Sequence, residues 1–274
     1  MNIKPRKRFA QHWLNSDAIL NKIIAASDLQ ATDRILEIGP GTGILTRQLI
    51  AQAQAVVSVE IDRDLCKKLV KKLGASENFI LLQGDILALD LENLLSPYPL
   101  FQHPNKVVAN IPYNITGPIL EKLLGKIASP VPKNYDSIVL LVQKEVADRL
   151  VAKPSTKAFG ALSVRVQYLA DCQLICPVPA KAFYPPPKVE SAVIRLTPRS
   201  LEQPAHNPRH LEQIVTLGFS SKRKMLRNNL KSRIESDRLT AILEQLNLNP
   251  QARAEDLSLE NWVQLSNTLQ DTPL

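Results

Sequence analysis

One stretch near the start of the chain limits its possible folds more than any other. Residues 34–38 (Arg-Ile-Leu-Glu-Ile) have the composition of a buried strand and lead directly into the loop 39–43 (Gly-Pro-Gly-Thr-Gly). A tight turn between a buried strand and a helix needs residues without a Cβ, so that the backbone can come close to a ligand and direct its amides towards it. The pattern therefore predicts a strand, a ligand-binding loop and a helix in immediate succession.

Apolar runs alternate with helical spacing beyond this loop. The pattern predicts further strands at 55–60, 79–83, 106–110 and 137–142, and helices at 44–52, 65–73, 118–127 and 144–151. This βαβαβ rhythm indicates an α/β fold with a parallel, doubly wound, Rossmann-like sheet. Two later strands are predicted at 161–169 and 191–196.

The pattern changes to helices alone from about residue 199. Prolines and an asparagine at 204–208 mark a linker, and apolar residues then recur with helical spacing between Leu211 and Leu246. We therefore predict a first domain of residues 1–200 and a small, all-α domain of residues 201–274.

The end of the second predicted strand indicates which ligand the glycine loop binds. Glu60 stands there, where a carboxylate can accept hydrogen bonds from both hydroxyls of a ribose. An NAD site shares this arrangement, but its fingerprint is G-x-G-x-x-G, whereas this chain has Gly39-x-Gly41-x-Gly43 with Glu37 just before it. The shorter spacing favours S-adenosylmethionine, which has no pyrophosphate to cradle.

Two later strand ends complete the candidate site. Asp85 ends the third strand and could bind the adenine amine of the cofactor, although an aspartate there more often caps a turn. Residues 110–113 (Asn-Ile-Pro-Tyr) follow the fourth strand and offer a side-chain acceptor, backbone carbonyls and a ring face, which suit the N6 amine of an adenine. We predict that Asn110 orients this amine and that Tyr113 stacks on the base while it is methylated.

The basic residues are concentrated in two places. The net charge is +8; residues 1–10 hold four basic residues and no acidic one, and residues 219–238 hold seven basic and two acidic residues. Two such patches suggest a polyanionic partner, most plausibly nucleic acid. In the second patch, apolar Leu226 and Leu230 predict an amphipathic helix that turns the basic side chains outward, with Lys222, Arg223, Lys224 and Arg227 holding phosphates.

Composition excludes several other classes of protein. The longest apolar runs are too short to span a membrane, and the basic amino terminus lacks the apolar region of a signal peptide. Three cysteines make a disulfide scaffold improbable and favour a reduced, cytoplasmic protein. His206 and His210 lack partners with metal-ligand spacing, so we expect no metal site.

The motifs together resemble the KsgA family of small-subunit ribosomal RNA adenine dimethyltransferases, which are class I S-adenosylmethionine enzymes. The similarity extends along the chain through residues 7–14, 37–43, 59–62, 84–85, 110–113, 143–149, 183–193 and 219–224. It implies transfer of four methyl groups to two adjacent adenosines near the 3′ end of 16S rRNA, in the small ribosomal subunit or its precursor. We expect the protein to act there as a monomer.

The resemblance also implies roles for single residues. Contacts with the cofactor are implied for His12, Leu14, Gly39, Glu60, Asp85 and Asn110, and the glycine-loop argument adds Gly41. Phe183 and Tyr184, which lead into three prolines, become candidates for the second stacking face of the target base. Two residues depart from the usual Gln-Asn-Phe-Leu motif of the family, because His12 and Trp13 replace its Asn and Phe.

Two other functions stay open at this point. The first is a dimethyltransferase of the macrolide-resistance type, which modifies one adenine of 23S rRNA; the prolines 185–187 and the basic stretch 220–224 are closer to the small-subunit enzymes. The second is a ribosome-assembly or transcription factor that keeps the fold only as a binding module. Intact Gly39, Glu60, Asp85 and Asn110 argue against it, since a pure binding protein could lose them.

Overall fold

A seven-stranded sheet forms the framework of the protein. The computed structural model describes residues 5–6, 9, 11–132 and 135–271. In chain order the strands are β1 (Arg34–Ile38), β2 (Ala55–Glu60), β3 (Phe79–Gln83), β4 (Lys106–Asn110), β5 (Ser137–Gln143), β6 (Ala170–Val178) and β7 (Ser191–Pro198). They are arranged as β3-β2-β1-β4-β5-β7-β6. The first five strands pair in parallel, whereas β7 runs antiparallel to β5.

Helices connect the strands and form most of the later part of the chain. They are α1 (Asp17–Ser27), α2 (Ile44–Gln52), α3 (Arg63–Leu73), α4 (Leu91–Leu95), α5 (Thr116–Leu124), α6 (Lys144–Leu150), α7 (Ala161–Leu169), α8 (Pro208–Gly218), α9 (Leu226–Leu230), α10 (Ser236–Gln245) and α11 (Leu259–Asp271). Within the described part of the chain, no helix combines the length and the hydropathy needed to cross a bilayer.

The five strands predicted for the βαβ part are confirmed, and the doubly wound α/β fold with them. The strand predicted at 161–169 is wrong, because these residues form helix α7. The alternation of Val164, Val166 and Tyr168 looked like a strand, yet all three are buried in a helix that begins after Gly160. Short apolar runs carry too little periodicity to separate the two structures, and tertiary packing decides.

The chain divides into two compact units. The first, the sheet unit, comprises residues 1–123, 133–147 and 173–198. The second, the helical unit, comprises residues 124–132, 148–172 and 199–274. The last change of unit falls between 198 and 199, close to the linker predicted from the sequence, but the helical unit also contains two earlier segments.

The strand order places a ligand site at one edge of the sheet. The chain moves outward from β1 to β2 and β3 on one side, then returns to β4 on the other side of β1. In open α/β sheets ligands bind outside the carboxyl ends of the strands at such a reversal. Gly39, Glu60 and Asn110 stand at or directly after the carboxyl ends of β1, β2 and β4.

Candidate active site

The loop after β1 forms one wall of a pocket, to which Gly39, Pro40, Gly41 and Thr42 contribute. Gly39, Gly41 and Gly43 all have positive φ angles, of 68°, 58° and 81°, a region that L side chains rarely adopt. A Cβ on Gly43 would lie 2.8 Å from Leu69 Cδ2, and one on Gly41 would lie 3.2 Å from Trp13 Cδ1. Backbone conformation therefore favours glycine at all three positions, and space favours it at Gly41 and Gly43 as well.

Glu60 joins this loop to the end of β2. Its Oε2 accepts a hydrogen bond from the Gly41 N–H at 3.2 Å, and its Oε1 accepts one from the Asp62 N–H at 2.9 Å. The side chain is buried, and burial raises the pKa of Glu60, with the charge of Asp62 adding to the rise and the two N–H donors opposing it. Each oxygen retains acceptor capacity for a hydroxyl.

A second buried carboxylate, Glu37, lines the same pocket. It accepts hydrogen bonds from Ser58 Oγ at 2.6 Å and Thr46 Oγ1 at 3.1 Å. Burial raises the pKa of Glu37 to about 7; Glu60 adds to the rise, while the two hydroxyl donors lower it. Glu37 is thus a polar group whose charge changes near neutral pH.

Asn110 and Tyr113 stand at the carboxyl end of β4. The Asn110 Nδ2 donates to the backbone carbonyl of His12 at 3.2 Å, which leaves its Oδ1 as an acceptor. The Tyr113 hydroxyl bonds to Ser191 Oγ. Burial raises the pKa of Tyr113, against the effect of the Ser191 hydrogen bond, so the phenol stays neutral at physiological pH.

The segment before α1 covers part of the pocket. Trp13 and Leu14 pair in antiparallel register with Tyr184 and Phe183. The His12 ring stacks on Tyr113 with centroids 6.0 Å apart and an interplanar angle of 20°, and its Nδ1 lies 2.7 Å from the Pro185 carbonyl oxygen. The pairing therefore joins the proline-rich segment to the residues that line the pocket.

Seven residues predicted from the sequence are brought together in this one pocket: His12, Leu14, Gly39, Gly41, Glu60, Asn110 and Tyr113. Sequence reasoning did not assign Phe9, Gln11, Ile61 and Leu65, which also line it. Phe9 and Gln11 belong to the first motif of the resemblance, so that motif could have identified them. Ile61 belongs to the motif at residues 59–62, which could likewise have identified it, whereas Leu65 carried no such signal.

Three predicted residues, Asp85, Phe183 and Tyr184, are not among those that line the pocket. Asp85 is exposed, and its Oδ1 accepts a hydrogen bond from the Leu87 N–H at 2.9 Å, so it caps a turn. Phe183 is 2% exposed and belongs to the hydrophobic core of the sheet unit. Its neighbour Tyr184 is 61% exposed. Contacts of Asp85 and Phe183 with ligands remain predictions.

The basic residues 222–224 of the helical unit lie outside the helix in which they were predicted. Helix α9 includes Arg227 but starts at Leu226, so residues 222–224 lie in the preceding turn. All three of these basic residues are exposed. Lys222 bonds to the Lys157 carbonyl and lies 3.7 Å from Glu255. The patch at residues 1–10 falls partly outside the described residues.

Comparisons with known proteins match almost the whole chain. The sequence profile of the ribosomal RNA adenine dimethylase family matches residues 2–271. The protein named ribosomal RNA small subunit methyltransferase A from Trichormus variabilis is 65% identical over 267 residues, covering 97% of this chain and 98% of that protein. The protein of the same name from Nostoc punctiforme is 66% identical over 273 residues, covering 97% and 96%.

Solved structures share the fold. A dimethyladenosine transferase from Plasmodium falciparum superposes with a TM-score of 0.78 at 26% identity, covering 95% of this chain and 98% of that one. The 23S rRNA methyltransferase ErmE superposes with a TM-score of 0.71 at 27% identity, covering 94% and 99%. With the class I methyltransferase fold and the matched profile in agreement, this chain belongs to the ribosomal RNA adenine dimethylase family of S-adenosylmethionine-dependent enzymes.

Proposed function

We propose that the protein dimethylates the N6 amines of two adjacent adenosines near the 3′ end of 16S rRNA, within the small ribosomal subunit or its precursor. The observation that carries this proposal is the position of Asn110, whose Oδ1 is left as an acceptor in the pocket that also holds Glu60 and the glycine loop. A group that orients an amine thus stands beside a nucleoside-binding site.

The pocket fits S-adenosylmethionine in three respects. The loop of Gly39 and Gly41 leaves room that a side chain would take. Glu60 has one backbone hydrogen bond on each oxygen and can still accept two ribose hydroxyls. Trp13 and Leu14 add an apolar wall. We expect His12, Leu14, Gly39, Gly41, Glu60, Asp85 and Asn110 to contact the cofactor.

When bound, S-adenosylmethionine supplies an electrophilic methyl group on its sulfonium sulfur. The adenine amine is a poor nucleophile because its lone pair is delocalised into the ring. Asn110 Oδ1, together with a nearby backbone carbonyl, accepts the amine hydrogens and turns the lone pair towards the methyl group, so the residues act by positioning and preorganised polar contacts. No protein base is required, since the methylated ammonium is acidic enough to lose its proton to water.

Dimethylation adds a second requirement. After the first transfer only one N–H remains on the target nitrogen, so stacking has to supply more of the orientation. Tyr113 offers one ring face in the pocket, and residues 183–184 are proposed to supply the other. Phe183 is proposed here as a catalytic residue with Asn110 and Tyr113, although its burial leaves Tyr184 as the more accessible ring.

The helical unit is proposed to bind RNA. Its exposed residues Arg223 and Lys224 precede α9, and the chain carries a net charge of +8. Phosphate contacts of this kind position a protein on RNA without reading the bases. We propose that residues 1–200 carry the methyltransferase site, that residues 201–274 carry the substrate contacts, and that the enzyme works in the cytoplasm as a monomer.

The alternative target is a single adenine of 23S rRNA. The structural similarity to the 23S rRNA methyltransferase ErmE is the reason to test it. Methylation assays on small and large ribosomal subunits, purified from cells that lack both modifications, distinguish the 16S target from the 23S target. We expect methyl groups to appear on the small subunit, in two adjacent adenosines located by primer extension and identified as N6,N6-dimethyladenosine by mass spectrometry. Methylation of the large subunit alone would refute the proposal.

The role of Glu60 is tested separately by calorimetry with S-adenosylhomocysteine. Glu60→Ala removes a charged acceptor of two hydroxyls, so affinity should fall by roughly thirtyfold to a hundredfold, equivalent to about 2–3 kcal/mol. Exposed Glu77 is a matched control whose replacement by Ala should leave affinity unchanged. An unchanged affinity in Glu60→Ala would remove Glu60 from the ribose site.

A further inference from the structure

Asp62 makes hydrogen bonds to four residues beside the pocket: Arg6, Gln11, Glu60 and Asp64. Its side chain is fully buried and yet charged, and the residue stands two positions after Glu60 at the start of α3. Its Oδ1 accepts from the Asp64 N–H at 3.0 Å, which caps the helix. Buried carboxylates are costly unless they are paired and hydrogen-bonded, so the other partners of Asp62 are informative.

Those partners are Arg6 and Gln11, from the amino-terminal part of the chain, and Gln11 also lines the pocket. Arg6 Nη1 lies 3.1 Å from Asp62 Oδ1, and Gln11 Nε2 donates to Asp62 Oδ2 at 3.1 Å. Gln11 in turn accepts from the Arg6 N–H at 2.8 Å through its Oε1, so the two residues support each other. Both of these contacts are separated from Asp62 by more than fifty positions in the chain.

Asp62 also touches Glu60 directly. Its backbone N–H donates to Glu60 Oε1 at 2.9 Å, so the position of the Asp62 backbone determines where that oxygen points. The side chain of Asp62 fixes this backbone from three directions, through the cap to Asp64 and the bonds to Arg6 and Gln11. The guanidinium also balances a second negative charge beside Glu60.

We propose that Asp62 is a positioning residue for the ribose-binding carboxylate, held in place by Arg6 and Gln11. This inference rests on the proposed role of Glu60 in binding the cofactor ribose. It goes beyond that role because it makes affinity for the nucleoside depend on residues that do not touch the ribose. Arg6 and Gln11 thereby couple the amino-terminal segment to the cofactor site.

The test compares two ligands, S-adenosylhomocysteine and its 2′,3′-dideoxyribose analogue, by calorimetry. Arg6→Ala, Gln11→Ala and Asp62→Ala should each weaken binding of S-adenosylhomocysteine, with the last reaching about tenfold. Affinity for the dideoxy analogue should stay within about twofold of the wild-type value, because that ligand offers Glu60 no hydroxyls. A structural disturbance of the pocket would instead weaken both ligands alike and would overturn the proposal.

Two control variants separate the positioning role of Asp62 from helix capping alone and from pairing with Arg6 alone. Asp90→Ala removes another helix-capping aspartate, whose Oδ1 accepts from the Asn93 N–H at 3.1 Å at the start of α4. Asp64→Ala removes the other acidic partner of Arg6 but leaves Asp62 intact. Both should bind S-adenosylhomocysteine as the wild type does, and equal losses in Asp62→Ala and Asp90→Ala would contradict the positioning role.

The double variant Arg6→Ala/Glu60→Gln distinguishes an error in the positioning role of Asp62 from an error in the ribose-binding role of Glu60. Arg6→Ala should add little to the loss caused by Glu60→Gln, since both act on the same contact. Full additivity, with Glu60→Gln alone weakening binding, would reject the coupling and leave the ribose role intact. Undiminished binding in Glu60→Gln would reject the ribose role and the coupling with it. Arg6→Ala keeps the test available if Asp62→Ala does not fold.

Discussion

The side-chain amide of Asn110 is oriented by the backbone carbonyl of His12, to which its Nδ2 donates a hydrogen bond at 3.2 Å. The contact ties the end of β4 to a segment almost one hundred residues earlier in the chain. Because the amide nitrogen is engaged, the oxygen is the atom available to a substrate amine. The acceptor geometry proposed for methyl transfer is thus set by the backbone at His12, whatever side chain stands there.

This relationship predicts the consequence of changes at His12. His12→Asn restores the usual residue of the family and leaves the carbonyl contact with Asn110 in place. We expect methylation and cofactor affinity within about twofold of the wild type, as for a substitution without loss of a buried partner. Both variants lose the ring that stacks on Tyr113. His12→Ala also removes any side-chain donor for the Pro185 carbonyl, which the amide of Asn can still supply, so it should be weaker. Steady-state methylation of small subunits checks both, and equal loss in the two variants would show that the imidazole itself is required.

The charge of Glu37 predicts how stability varies with pH. The pKa of this carboxyl is about 7 in the folded protein because of burial, against an ordinary value of 4.5. Between about pH 4.5 and 7 the unfolded chain loses this proton while the folded protein keeps it, so folding becomes less favourable as pH rises. Relative to Glu37→Gln, the free energy of unfolding of the wild type should fall by about 3 kcal/mol over this range.

Denaturant titrations of both proteins at pH 4.5, 6 and 8 measure this difference. Below about pH 4.5 Glu37 is protonated in both the folded and the unfolded protein. The difference in free energy of unfolding between the wild type and Glu37→Gln should therefore be constant there. A difference that stays constant up to pH 8 would mean that Glu37 ionises normally in the folded protein. Glu77→Gln, an exposed change outside the pocket, should show no such trend.

The basic residues before α9 predict a salt effect on RNA binding. Arg223→Ala and Lys224→Ala should each lower the slope of log K against log salt by roughly one, with cofactor affinity unchanged. Lys222→Ala should lower it less, because Lys222 already bonds to Lys157 and Glu255. Filter binding at several salt concentrations measures the slope, and the exposed residues Lys71 and Lys72 at the end of α3 provide a matched control. An unaltered slope in Arg223→Ala would show that this patch is only a solvated surface.

The sequence was sufficient to predict the elements whose structure depends on neighbouring residues in the chain. The strand β1, the glycine loop and the helix α2 were predicted with their observed bounds, because glycine and apolar patterning act over a few neighbours. The places of Glu60 and Asn110 at the ends of β2 and β4 were also predicted correctly from local patterning, while their roles in binding stay predictions.

Contacts between distant segments were not predictable in this way. Nothing local indicates that Arg6 meets Asp62 or that Asn110 meets His12. The error at α7 is related, because Val164 and Val166 are placed by packing within the helical unit, not by their own preference for a strand. Gly160, at the N-cap position of α7, is a local sign of a helix start.

Phe183 and Tyr184 are predicted to fail differently when changed. Phe183 is buried in the core of the sheet unit, so Phe183→Leu should lower the free energy of unfolding by about 1–2 kcal/mol. Tyr184 is 61% exposed, so Tyr184→Ala should leave stability and cofactor affinity alone while it reduces turnover of RNA by the loss of one stacking face, about 1–3 kcal/mol. Thermal unfolding and methylation of small subunits distinguish the two. Lost methylation in Phe183→Leu, with full methylation in Tyr184→Ala, would assign the second stacking face to Phe183 alone.

The last prediction separates the roles of Asn110 and Tyr113. Asn110→Ala removes the acceptor that orients the amine, so both methyl transfers should fall by roughly a hundredfold or more, as when one preorganised polar contact is lost. Tyr113→Ala removes stacking worth about 1–3 kcal/mol per base. The monomethylated amine has one N–H fewer and depends more on that stacking, so Tyr113→Ala should accumulate N6-monomethyladenosine, whereas Asn110→Ala should leave unmodified adenosine.

Mass spectrometry of nucleosides from reactions on unmethylated small subunits measures the ratio of the two products. Tyr113→Phe is the matched control, because it keeps the ring and removes only the hydroxyl that bonds to Ser191. It should give the wild-type ratio, since the hydroxyl anchors the ring but does not stack. If Asn110→Ala and Tyr113→Ala gave equal ratios of monomethyl to dimethyl product, orientation and stacking would not be divided between these two residues, and the second transfer would depend on the same contacts as the first.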